Sequence, residues 1–303
     1  MAYDPDYLID RRRLKRRLTF WRVVAIVAVV GAVVAAWGRF GGGLSGDRIV
    51  RVDIDGVIVR DDRRIETFAA LGRDSSVRAV LVRINSPGGT VTGGESLYRA
   101  VLELGEKKPV VALMDGLATS AAYMVAIAAD RIYAHETTLT GSIGVVMQTA
   151  EITRLLDMVG ITPRAFKSGE LKASPNPMEP VTPAAEAAMQ AIIDETYGSF
   201  RNMVLVRRQL DASAEAAFSD GRVFTGKRAR EIGLIDAIGG QREAVAWLER
   251  KRTLPEGLPV HEIDLHGRVG DLLDRVVGLA RKTILSERLT LDGLVSVWQP
   301  PGR

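Results

Sequence analysis

Val110-Val111-Ala112-Leu113-Met114 runs into Asp115-Gly116-Leu117-Ala118-Thr119-Ser120-Ala121-Ala122-Tyr123, which reads as an apolar strand, a small-residue turn and a helix start. An uncharged run of this length suits a strand covered on both faces. The same alternation recurs on either side. Ile49 to Val59 reads as a strand, Ile65 to Leu71 as a short helix, and Ala79 to Ile84 as a buried strand leading into Asn85-Ser86-Pro87-Gly88-Gly89. Thr92 to Leu104 has helical spacing, Ser120 to Ala129 is the next helix, and Arg131 to Ala134 and Ile143 to Met147 are further strands. Strands alternating with helices at short intervals predict an α/β domain with a largely parallel sheet and flanking helices. Thr182-Pro183 starts a long helix, Thr as cap and Pro in the first turn, running to about Leu210. A short strand and turn at Gly221 to Gly226 leads into a helix to Glu231. Arg242 to Arg252 is helical and Val260 to Leu265 a strand. Gly270 to Leu285 has helical spacing, and residues 286–303 form a tail of no assigned structure.

Composition narrows the classes. With 47% hydrophobic and 26% charged residues, the 303-residue chain can bury a sizeable core. It has no cysteine, which excludes disulfides and thiolate metal sites. The net charge of +4 sits in residues 1–22, where seven basic residues face three acidic ones. The remainder is balanced, so no basic face for nucleic acid is expected. That arm precedes an apolar run from Val23 to Trp37, which extends back to Leu18 with one interruption at Arg22. Such a run approaches the length of a membrane span, an end arginine can snorkel, and Trp21 and Trp37 suit the two interfaces. Val34-Ala35-Ala36 also offers a signal-peptide cleavage site, but the long arm before the run favours an uncleaved anchor. The expected organisation is a cytoplasmic basic arm (1–22), a transmembrane helix (23–37), a Gly-rich linker (38–47), a catalytic domain (48–252) and a C-terminal extension (253–303). The basic cluster predicts a cytoplasmic N-terminus, with the rest beyond the inner membrane, on its periplasmic side.

The chemistry rests on a few residues. Ser120 starts a helix, where serine is an ordinary cap. It is not in a Gly-x-Ser-x-Gly elbow, because Ala118 and Ala122 occupy the glycine positions. The histidines His135, His261 and His266 have no acidic partner at motif spacing. A lysine can activate a serine if burial strips its charge, since at the ordinary value only about one lysine in 2,500 is neutral at pH 7. Lys167 and Lys172, in Lys167-Ser168-Gly169-Glu170-Leu171-Lys172, both qualify by spacing. Gly88-Gly89 can present backbone N–H groups to an oxyanion, and Ala121 offers the first N–H of the helix.

Taken in order, Asn85-Ser86-Pro87-Gly88-Gly89, Ala118-Thr119-Ser120-Ala121-Ala122-Tyr123, Thr140-Gly141-Ser142-Ile143-Gly144-Val145, Lys167 to Lys172, and Phe224-Thr225-Gly226 leading to Gly233-Leu234-Ile235-Asp236 resemble the signal peptide peptidase A family. These are membrane-anchored serine proteases related to the Clp protease and crotonase folds, and the chain resembles their short form. The resemblance implies Ser120 as nucleophile, Lys172 as general base, Ser142 as the residue orienting the lysine, and the backbone N–H groups of Gly89 and Ala121 as oxyanion donors. It implies no cofactor and no metal, cleaved signal peptides as substrates, and a homo-oligomer beside the bilayer. The family usually has glycine after the nucleophile, where this chain has Ala121-Ala122. Rival readings are a membrane protease acting on membrane-protein segments, a crotonase-type acyl-CoA enzyme, and a catalytically dead scaffold.

Overall fold

The structure is a computed structural model, and it describes residues 20–30, 46–252, 254–263 and 295–297. It divides into two compact units, residues 1–46 and 47–303. In the first, residues 20–30 are helical and every side chain is exposed, including Phe20, Trp21 and Ile26. Among the described residues no helix is long and apolar enough to cross a membrane. Residues 31–37 of the expected anchor lie outside the described residues, as does the helix expected at Gly270 to Leu285.

The second unit runs β1 (Arg48–Asp55), α1 (Asp62–Arg73), β2 (Val77–Ser86), β3 (Gly88–Thr90), α2 (Val91–Gly105), β4 (Val110–Thr119), α3 (Ala121–Ala126), β5 (Arg131–Ala134) and β6 (Leu139–Gly141). It continues with α4 (Thr153–Met158), α5 (Pro183–Arg208), a 3₁₀ turn (Ala212–Ala217), β7 (Val223–Thr225), α6 (Gly226–Glu231), β8 (Ala237–Ile238), α7 (Gln241–Lys251), β9 (Val260–Ile263) and β10 (Val295–Val297). The main sheet has the order β7-β6-β4-β2-β1-β9, with β5 bridging β4 and β8. All its pairings are parallel except β6 with β7. The expected α/β architecture is therefore present. β10 pairs with β3 in a separate antiparallel ribbon.

Strand alternation sends neighbouring side chains to opposite faces. Val50, Val52, Ile54, Val80, Val82 and Ile84 pack against Phe68 of α1 and Leu97 and Val101 of α2. Ile49, Ala79, Leu81, Val111 and Leu113 face the other way, against Ala244 and Leu248 of α7. Two covered faces explain the apolar runs Ala79 to Val82 in β2 and Val110 to Met114 in β4.

The structure corrects two readings of the sequence. Asp115 to Thr119 is not a turn that ends a strand. The register of β4 against β2 shifts there, and the strand resumes with a new neighbour, pairing with β5 at Val111 to Met114 and with β6 at Leu117 to Thr119. This bulge re-aims the strand end. Likewise the strand expected at Ile143 to Met147 falls earlier, at Leu139–Gly141, where backbone partners on both β4 and β7 exist. Thr182 caps α5 as expected, its side chain accepting from the Ala185 N–H at 3.2 Å.

Helix α3 has only six residues and cannot stand alone. It is held by its surroundings. Arg207 of α5 donates to the carbonyls of Ile127, Ala128 and Ala129 just beyond its C-terminus, at 2.8 to 3.1 Å. Fully buried Tyr123 donates its hydroxyl to the Leu234 carbonyl at 2.8 Å, and burial pushes the phenol well above its ordinary range. Tyr123→Phe leaves that carbonyl without its donor and should lower stability by about 1–2 kcal/mol, read as a fall in urea midpoint with unchanged slope.

Candidate active site

The bulged end of β4 delivers Ser120 to the first position before α3. Serines that cap helices have extended backbone and accept from an N–H of the first turn. Ser120 does neither: its φ is 59° and ψ −121°, and its side chain makes no cap bond. A non-glycine residue here carries strain of about 1–3 kcal/mol and persists only where its surroundings over-determine it. They do. The Ser120 N–H donates to Gly141 of β6 at 2.8 Å, and its carbonyl accepts from the Met124 N–H at 2.9 Å. Thr119 Oγ1 donates to the Pro87 carbonyl at 3.1 Å and Thr140 Oγ1 to the Ala118 carbonyl at 2.7 Å. The hydroxyl is thus held in a fixed place, buried at 1% exposure.

Gly89 lies beside it. The Ile58 N–H donates to the Gly88 carbonyl and the Thr90 N–H to the Ile58 carbonyl, both at 2.8 Å. A Cβ at Gly89 would fall 1.7 Å from the Ile58 carbonyl oxygen, so only glycine fits. Because N–H groups alternate along a strand, the Gly89 N–H faces away from Ile58. Gly88 is fixed in turn by Ser86, whose Oγ accepts its N–H at 3.1 Å. The Thr119 bond to Pro87 ties this strand to the Ser120 turn, and β3 packs directly on α3. Ala121 carries an N–H at the open start of α3. Its methyl is accommodated by Gly94 of α2, where a Cβ would meet Ala121 Cβ at 2.9 Å. Gly94 is thus a supporting position that sequence reasoning missed. The adjacent pair Gly93-Gly94 inside a helix was its only signal.

Ser142 follows Gly141, the residue that accepts the Ser120 N–H. It also has positive φ, 50°, and its N–H donates to the Arg222 carbonyl at 2.9 Å. Ser120, Ser142, Gly89 and Ala121 are therefore gathered where β3, β4, β6 and α3 meet.

The two lysines separate clearly. Lys167 is ion-paired to Glu179, which also accepts from Asn176 at 2.9 Å, and the Lys167 hydrogen bond holds the Glu179 carboxyl below its usual range. Lys172 has no hydrogen bond or ion pair on its ammonium among the described residues, and it is exposed. Its loop is braced from within: the Lys172 N–H reaches the Gly169 carbonyl at 3.0 Å and Asn176 reaches the Ala173 carbonyl at 3.0 Å. Among the described residues of the single chain, Lys172 is not enclosed. Of the nearby apolar residues in sequence, Phe166 is 98% exposed and Leu171 47%.

His135 lies at the end of β5 and is exposed. Its Nε2 lies 3.9 Å from Asp115, and Asp115 is already engaged by Arg83 at 2.5 Å. His261 lies on edge strand β9, and His266 is outside the described residues. Among the described residues no cluster of His, Asp or Glu could hold a metal.

The chain matches the Peptidase family S49 profile over residues 103–254 and the Clp protease profile over 54–151. It is 35% identical to a Synechocystis protein provisionally named as a protease, over 66% of this chain and 73% of that one. It is 31% identical to the chloroplastic serine protease SPPA of Arabidopsis thaliana, over 77% of this chain but 35% of that one. It is 28% identical to an Enterococcus faecium protein provisionally named signal peptide peptidase SppA, over 71% of this chain and 66% of that one. The acyl-CoA and dead-scaffold readings give way to these relationships. On a fold of Clp protease type, the chain is a serine peptidase belonging to peptidase family S49.

Proposed function

We propose that the protein is a membrane-anchored endopeptidase that degrades remnant signal peptides, with Ser120 as nucleophile and Lys172 as general base. The observation that carries this reading is the Ser120 backbone: buried, at positive φ, and with a hydroxyl not used as a cap. A residue strained in this way at a strand-to-helix junction is pre-organised for attack. The neutral Lys172 amine takes the Ser120 hydroxyl proton while Oγ bonds to the scissile carbonyl carbon. The oxyanion is received by the N–H groups of Gly89 and Ala121. Collapse breaks the C–N bond, and the lysine ammonium returns its proton to the leaving amine. Water then attacks the acyl-serine by the same route. Ser142 orients the amine.

Lys172 needs an apolar, enclosed setting to lose its charge. We assign that setting to a second copy of the chain, in a homo-oligomer. The exposed Leu155, Met158, Val159, Ile161, Phe166 and Leu171 form an apolar stretch around the lysine loop, of the kind interfaces bury. The apolar helix at residues 20–30, with its basic arm, suits an inner-membrane anchor whose N-terminus is cytoplasmic and whose peptidase unit lies on the periplasmic side. An anchored site takes substrates released at the bilayer, and the Enterococcus relative's name fits that choice.

A fluorophosphonate probe should label Ser120 alone, located by mass mapping, and Ser120→Ala should lower peptide hydrolysis by about 10³-fold or more. Lys172→Met should have a similar effect, while Lys167→Met, which breaks only the Glu179 pair, should stay within about tenfold of the parent. Because the base acts deprotonated, kcat/KM should rise with pH on the alkaline side. The converse result, loss with Lys167→Met and retention with Lys172→Met, assigns the base to Lys167. Mixing the Ser120→Ala and Lys172→Met chains should restore activity if each site joins two copies, and an inactive mixture of co-assembled chains would place the dyad within one copy.

A further inference from the structure

The residue directly after Lys172 is strained. Ala173 has a φ of 56°, in the left-handed region that glycine enters freely and alanine does not. The Ser174 N–H donates to the Leu171 carbonyl at 3.2 Å, so Leu171 to Ser174 form a turn whose third residue has positive φ, a place glycine usually fills. Such a conformation persists only where neighbours hold it. The neighbour is Asn176. Its Nδ2 donates to the Ala173 carbonyl at 3.0 Å and to Glu179 Oε2 at 2.9 Å, and its Oδ1 accepts the Met178 N–H at 3.0 Å. The segment around Asn176 is tied down in turn. The Ile152 N–H donates to the Pro177 carbonyl at 2.9 Å, and Glu179 pairs with Lys167. One amide thus connects an anchored segment to the turn that carries Lys172.

We propose that Asn176 is a positioning residue for the general base, acting through the strained Ala173 turn. This rests on the reading of Lys172 as base. A lysine amine rides on a flexible four-carbon stem, so its place depends on how the backbone beneath it is held. A misplacement of about 1 Å can cost about 10²-fold in rate. Without the Asn176 donor, Ala173 relaxes toward negative φ and the turn carries Lys172 with it. Glycine at 173 removes that dependence, because it takes positive φ with no Cβ penalty. A carboxylate at 176 keeps an acceptor for the Met178 N–H but has no N–H for Ala173 or Glu179, and it repels the Glu179 carboxylate. The amide at 176 is needed because position 173 is alanine. That coupling separates a positioning role from a loop that is merely held together.

The test compares peptide hydrolysis by the 303-residue chain with Asn176→Asp, Ala173→Gly and the double variant carrying both. Asn176→Asp should lower kcat by about 30-fold or more with KM within about twofold, and slow fluorophosphonate labelling of Ser120 by a similar factor. Ala173→Gly alone should stay within about threefold of the parent, and the double variant should regain at least about tenfold over Asn176→Asp. The Val80 to Ile84 amides should keep their hydrogen-exchange protection in all four chains, which shows that the core is intact. Equal losses in Asn176→Asp and the double variant overturn the inference, because the amide then acts on something other than the Ala173 turn. So does a KM that rises while kcat holds. Full activity in Asn176→Asp overturns it as well, and an inactive Lys172→Met chain in the same assay then leaves the base reading standing. Parental activity in Lys172→Met removes the base reading, and the inference falls with it.

Discussion

The site depends on a backbone constraint: one residue is held at positive φ where a strand gives way to a helix. Ser120 cannot relax into an ordinary cap because its N–H is bound to Gly141 and its carbonyl to Met124. Those partners are themselves fixed, Gly141 by pairing with Thr119 and Met124 by the packing of α3. The strain of about 1–3 kcal/mol is small beside the surrounding hydrogen bonds and core, so the conformation persists. It holds Ser120 at the start of α3, which packs on β3. The bulge in β4 serves the same end, because a straight strand would pair β5 throughout and never reach β6.

Much of this was legible in the sequence, and the failures share a cause. The apolar runs at Val80 to Ile84 and Val110 to Met114 announced a parallel sheet, since strands covered on both faces carry no polar alternation. Thr182-Pro183 announced α5. Sequence could not give the bulge at Asp115-Gly116, because small residues suit a turn and a bulge equally, and the choice lies with a neighbour distant in the chain. β3 and β10 were missed for the same reason. Gly88-Gly89 has low strand propensity, and three residues become a strand only when partners arrive from residues 58 and 295–297. The resemblance in motif order singled out Ser120, Ser142, Gly89 and Ala121, which lie on or next to β3, β4, β6 and α3. For the lysine, spacing left two candidates and the fold separates them. Lys167 is ion-paired to Glu179, whereas Lys172 is exposed.

That partner also explains the shape of the lysine loop. With its carboxyl held below the ordinary glutamate range, Glu179 stays ionised at neutral pH and the clamp to Lys167 stays closed. The contribution is present above the usual glutamate range and is lost only as pH falls through the lowered one. Around neutral pH the carboxylate is therefore ionised and available to the clamp.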